Sequence, residues 1–138
     1  MEINLARIDD NYLMEAVNEN GNTLRTDGSP AIGGSNQAMR PMQLLLAAVG
    51  SCSSIDIISL LKKQRQELRD IKIKVTGERE EGKVPSLFTK IKIHFDLYGK
   101  VDEKKAQRAV ELSMEKYCSV GLILKKSTEI EWSFAVHV

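Results

Sequence analysis

Nothing in this 138-residue chain spells out a metal or nucleotide site. No group of histidine, cysteine or carboxylate residues has ligand spacing, no glycine-rich loop follows a strand in a nucleotide-binding pattern, and no Gly-x-Ser-x-Gly occurs. No resident metal or cofactor is expected. Charge of either sign is not in excess: 20 basic against 19 acidic residues leave a formal +1, which gives no general attraction to nucleic acid or anionic lipid, so neither is expected as a partner. No uninterrupted apolar run approaches the ~20 residues of a membrane span. The first residues, Met1-Glu2-Ile3-Asn4-Leu5-Ala6-Arg7, lack the basic-then-apolar order of a secretory leader, so a cytoplasmic location is expected. The only two histidines, His94 and His137, fall on the polar sides of alternating strands, where solvation explains them and a Cys–His hydrolase gains no support.

What the chain does have is two cysteines. At 15.5 kDa it reads as one domain over residues 1–138, able to bury a core without structural disulfides or metals. Cys52 sits in Gly50-Ser51-Cys52-Ser53-Ser54 and Cys118 in Tyr117-Cys118-Ser119-Val120-Gly121, 66 positions apart, which excludes a CxxC motif. A free cysteine is often a small buried hydrophobe. In a reducing compartment a stable disulfide is disfavoured, whereas a transient catalytic or sensing one is permitted. Only the fold can bring the two thiols together, and if it does they form a two-thiol active site.

The pattern of elements argues an α+β fold. Residues 2–8, 11–17 and 23–26 read as short strands around turns at Asp9-Asp10-Asn11 and Asn20-Gly21-Asn22. Residues 27–40, with three glycines and a proline, form a long loop of the kind that is often functional or mobile. Pro41 then suits the first turn of a helix over 41–65, apolar around its whole circumference in the first half. Ile71, Ile73 and Val75, and then Ile91, Ile93, Phe95 and Leu97, alternate with polar residues and predict an antiparallel hairpin. Helical spacing returns at 102–117, with Ala106, Ala109, Val110, Met114 and Tyr117 on one side. A short helix near 119–126 and a last strand from Ile130 to Val138 complete the order βββ-α-ββ-αα-β. One layer of sheet does not cover the 41–65 helix on all sides, so a second copy of the chain is expected to supply the missing wall.

On that helix Cys52 shares a stripe with Leu45, Ala48, Ile55 and Ser59 and is expected to be largely buried. The small residues around it, Gly50, Ser51, Ser53 and Ser54, allow either close packing or room for a substrate. Cys118 stands where a short helix begins, and the free N–H groups there favour a thiolate.

The run Arg40-Pro41-Met42-Gln43-Leu44-Leu45-Leu46-Ala47-Ala48-Val49-Gly50-Ser51-Cys52 and its continuation to Arg65 resembles the first-cysteine helix of the OsmC/Ohr superfamily, in its OsmC-like branch with a Pro-Met start. Glu115-Lys116-Tyr117-Cys118-Ser119-Val120 is similar to the second-cysteine segment of that branch. Thr76-Gly77-Glu78-Arg79 with Phe88-Thr89-Lys90-Ile91 resembles its central hairpin. The resemblance implies an intertwined α+β homodimer, with antiparallel sheets around long central helices and two sites at the subunit interface. It also implies thiol-dependent reduction of organic hydroperoxides, with Cys52 as the peroxidatic and Cys118 as the resolving cysteine and an external dithiol as reductant. Best-described members carry a glutamate after the helix-opening proline and an arginine. This chain has Met42 there, and Arg7, Arg25, Arg40 and Arg79 are the candidate arginines. The alternative is a dimer of the same fold that binds a small apolar ligand through Met14, Met39, Met42 and Leu45, or senses redox state, without turnover.

Overall fold

The alternation of branched apolar and polar residues decides where the strands lie. The computed structural model describes residues 1–138. Its elements are β1 (Ile3–Arg7), β2 (Met14–Asn18), β3 (Thr23–Thr26), α1 (Pro41–Lys63), β4 (Glu67–Arg79), β5 (Phe88–Lys100), α2 (Glu103–Leu112), α3 (Ser119–Leu124) and β6 (Glu129–His137). The fold is α+β in the expected order, with two three-stranded sheets, β1-β2-β3 and β4-β5-β6. The chain divides into two compact units, Met1–Leu45 and Leu46–Val138.

In the first unit the three strands form an antiparallel meander. Asn18 closes the second turn, its side-chain oxygen accepting from the N–H groups of Asn20 and Asn22. The loop after β3 is ordered around a carboxylate that no sequence motif marks. Asp27 is 1% exposed, and its two oxygens accept from Gly28 N at 2.7 Å and Gln37 N at 3.0 Å. A Cβ at Gly34 would lie 1.9 Å from the Gly28 carbonyl oxygen, so this return of the chain admits only glycine. The Gln43 side chain accepts from Arg40 N at 2.9 Å, half of a capping box, just before Pro41 opens α1.

In the second unit β4 and β5 pair antiparallel, with Ile71 opposite Leu97, Ile73 opposite Phe95 and Val75 opposite Ile93. Ile91, Ile93, Phe95 and Leu97 are at most 1% exposed and form the centre of the core. β6 joins the other edge of β5 in parallel, Ile93 beside Trp132 and Phe95 beside Phe134. The sheets are therefore not antiparallel throughout, and α2 and α3 provide the crossover that a parallel neighbour requires. Gly50 lets α1 approach the sheet closely: a Cβ there would meet Val75 Cγ2 at 3.0 Å.

Two helical phases differ from expectation. Along α1 the buried positions are Val49, Gly50, Ser53, Ile57 and Leu61, one residue round from the stripe expected to hold Cys52. A helix apolar on all sides carries no phase of its own, and the small residues Gly50 and Ser53 decide which face meets the sheet. Leu45 and Ile55 are left 39% and 62% exposed on the single chain. The helix is also long and apolar enough to cross a membrane by length and composition, with 28% of its most apolar stretch buried. Its apolar residues form no uninterrupted run, because Gly50, four serines and Asp56 stand among them.

After α2, capped by Asp102 accepting from Lys105 N at 3.0 Å, residues Ser113–Tyr117 wind as a π turn closed by Cys118 N donating to Ser113 O at 2.7 Å. The extra residue per turn rotates Tyr117 away from the Ala106–Met114 face, leaving it 47% exposed, and Cys118 is fully buried.

Candidate active site

The two thiols separated in sequence meet in the second unit. Cys52 lies on α1, half-buried, and Cys118 closes the π turn and caps α3; both are free thiols. The Cys52 sulfur stands close enough to that of Cys118 to act on its protonation. The small residues around Cys52 divide by role. Gly50 and Ser53 serve close packing, since Gly50 meets β4 and the Ser53 hydroxyl donates back to Val49 O at 2.7 Å inside the core, while Ser51 is exposed.

The electrostatics of Cys118 run against expectation. Its sulfur does accept from Gly121 N at 3.3 Å, as a cap should, and this favours the thiolate. Burial outweighs it: the thiol is pushed up to about 11, with desolvation as the main cause, and the neighbouring Cys52 thiol and then the Asp56 carboxylate add to the rise. Gly121 leaves no spare space over the sulfur, because a Cβ there would stand 3.3 Å from it. Cys118 is thus a shielded, protonated thiol, and Cys52 is the one with access to solvent.

Asp56 and Ser113 complete the local arrangement, and nothing in the local sequence marks Ser113. The Ser113 hydroxyl, fully buried, lies 3.0 Å from Ser53 O and 3.2 Å from Asp56 Oδ2. Residues 57 and 60 positions apart carry no shared local signal. Three of the four candidate arginines are occupied elsewhere. Arg25 pairs with Glu15 at 3.1 Å, Arg40 donates to Ala38 O and Asn36 Oδ1, and Arg79 donates to Ser86 O.

Both histidines lie on the sheet face turned away from α1, as their pattern suggested. His94 Nδ1 is 2.7 Å from Ser133 Oγ, and His137 Nε2 is 2.7 Å from Asp96 Oδ1 and stacks on Tyr98. The hydrogen bond from His137 and the nearby His94 hold the Asp96 carboxyl below its ordinary value, despite some desolvation. A groove of about 540 Å³ opens on the same face, lined by Lys74, Thr76, Lys92, His94, Glu131 and Ser133 among others. Two of its polar groups, His94 and Ser133, are bonded to each other, and Glu131 pairs at 3.3 Å with Lys90 outside the groove.

An α+β fold that brings an accessible thiol on a long apolar helix against a buried thiol at the cap of a short one defines a paired-thiol protein. The chain belongs to the OsmC family: the family of OsmC-like proteins matches residues 34–133. It is 42% identical over 117 residues to Protein YhfA of Escherichia coli (strain K12), covering 84% of each chain. Among solved structures, a hypothetical protein from Aquifex aeolicus VF5 shares 39% identity at a TM-score of 0.83, over 98% of this chain and 94% of that one. An organic hydroperoxide resistance protein from Elizabethkingia anophelis has the same fold, with a TM-score of 0.74 over 99% and 97% of the two chains at 14% identity.

Proposed function

We propose that this protein reduces organic hydroperoxides with Cys52 and Cys118 as its redox pair. Membership of the OsmC family and likeness in fold to organic hydroperoxide resistance proteins associate the chain with a redox or peroxide-resistance role. The observation that carries the finer reading is the asymmetry of the pair, one thiol half-exposed and its neighbour fully buried and protonated. In the cycle the Cys52 thiolate attacks the peroxide O–O bond, releasing an alcohol and leaving a sulfenic acid. Cys118 then attacks that sulfur, water leaves, and a disulfide joins the two residues. An external dithiol restores both thiols by two exchanges. No metal or cofactor enters these steps.

The acting form is an intertwined homodimer of one OsmC-like domain, cytoplasmic, with neither nucleic acid nor membrane as partner. Exposed apolar residues on both units support a second copy: Ile55 at 62% and Ile58 at 41% on α1, and Ile3 at 52%, Leu5 at 57% and Leu24 at 49% on the first sheet. An apolar α1 whose one face packs on the sheet through Gly50 is better served by a protein partner than by lipid.

The test is consumption of cumene hydroperoxide by the purified protein with a dithiol reductant. Wild type should turn over and Cys52→Ser should lose activity to background, whereas equal activity in the two proteins would exclude Cys52 as the attacking group.

A further inference from the structure

A buried hydroxyl links the two elements that carry the cysteines. Ser113 opens the π turn; its side chain reaches Ser53 O and Asp56 Oδ2 on α1, and its carbonyl accepts from Cys118 N at 2.7 Å. Ser53 follows Cys52 directly, and Asp56 lies four residues beyond it, one turn along the same side of the helix. One residue is therefore bonded through its side chain to the Cys52 turn and through its backbone to Cys118. Its one hydroxyl proton is shared between two acceptors, Ser53 O at 3.0 Å and the Asp56 carboxylate at 3.2 Å.

We propose that Asp56, acting through Ser113, is the positioning residue of the thiol pair: it holds the Cys118 turn against the Cys52 turn of α1 and governs how fast Cys118 closes onto an oxidised Cys52. This rests on the two-thiol reading but concerns disulfide closure alone, whichever oxidant begins it. Asp56 acts in two separable ways. Its oxygen anchors the Ser113 hydroxyl, and its charge, facing the Cys118 sulfur, favours the thiol over the thiolate. The groups that face Cys118 are Cys52 and Asp56 from α1 and the Gly121 N–H from α3. The nearby charges are engaged elsewhere or turned to solvent: Lys125 Nζ donates to Met114 O at 2.8 Å, Lys116 lies over the Tyr117 ring, and Glu115 is exposed.

The reduced, full-length protein mixed with dithiobis(nitrobenzoate) provides the test. The Cys52 thiolate attacks the aryl disulfide, one nitrothiobenzoate leaves, and a mixed disulfide remains on Cys52. Cys118 gives its proton to solvent and attacks the Cys52 sulfur, forming the protein disulfide and expelling a second nitrothiobenzoate. The protein loses two electrons and the reagent gains them. The second absorbance phase is the closure, and its absence in Cys118→Ser assigns it.

Ser113→Ala, which keeps the charge and removes the tether, should slow that phase about tenfold at every pH. Asp56→Asn keeps an oxygen acceptor for the hydroxyl and removes the charge, so its closure should retain the wild-type limiting rate but reach it at lower pH. A wild type that releases fewer than two equivalents, or variants whose second phases keep the wild-type rate and pH midpoint, would overturn the proposal. A protein that closes in this assay yet consumes no hydroperoxide would sink the peroxidase reading and leave the role of Asp56 standing.

Discussion

The protonation of Cys118 makes stability and chemistry depend on alkaline pH in a way that one substitution isolates. Burial, with Cys52 and Asp56 beside it, pushes the thiol up to about 11 from an ordinary 9.0. The folded chain therefore holds this proton more tightly than the unfolded chain does. The corresponding stability is fully present below pH 9 and is lost as pH rises through 11. Two pH units correspond to a ceiling of about 3 kcal/mol, of which about 2 kcal/mol is lost by pH 11 itself. Lysines and tyrosines titrate in the same range, so the quantity to measure is the difference between wild type and Cys118→Ala in urea unfolding under reductant, from about pH 8 to about pH 11. The alanine leaves a small cavity whose cost is independent of pH. The wild-type advantage should shrink by about 2 kcal/mol across that range. A difference that stays constant would refute the claim that burial governs this thiol. The kinetic counterpart is closure onto oxidised Cys52 that accelerates as pH rises from neutrality, because burial keeps the Cys118 thiol protonated there.

Replacing Ile55 or Ile58 with lysine should convert the proposed homodimer into a smaller species by sedimentation, since both lie exposed on α1 of the single chain; an unchanged mass would exclude this face from the interface. His137→Ala removes the hydrogen bond that lowers the Asp96 carboxyl, so the Asp96 titration followed by carbon-13 NMR should move up toward 3.8. The sign for stability follows: the depressed carboxyl stabilises the fold above its ordinary value, and that contribution disappears as pH falls through the lowered one. An unmoved titration would show that His94 alone holds the carboxylate.

The strands were legible because burial on one face imposes period two, and Ile71 to Val75 and Ile91 to Leu97 pair as their alternation suggests. The parallel addition of β6 was not legible, since alternation tells which face is buried and not which way a strand runs. The face of α1 was hidden for the opposite reason: with leucine, isoleucine and valine all round, the choice fell to Gly50 and Ser53, whose smallness matters only against a particular neighbour. Tyr117 left the packed side of α2 because the π turn inserts a phase shift that no local propensity announces. At the site, the two cysteines could be picked out in advance, but the dominance of burial over the helix cap at Cys118 could not. The bond from Ser113 to Asp56 depends on a contact between distant segments, and only the folded chain reveals it.

The most direct test of the paired-thiol account is intact mass and peptide mapping of the reduced protein after one equivalent of cumene hydroperoxide, without reductant. The account predicts a monomer mass lower by two hydrogens, a Cys52–Cys118 disulfide within one chain, and one equivalent of alcohol. An unchanged mass, or oxidation that leaves Cys118 free and Cys52 unbridged, would contradict it.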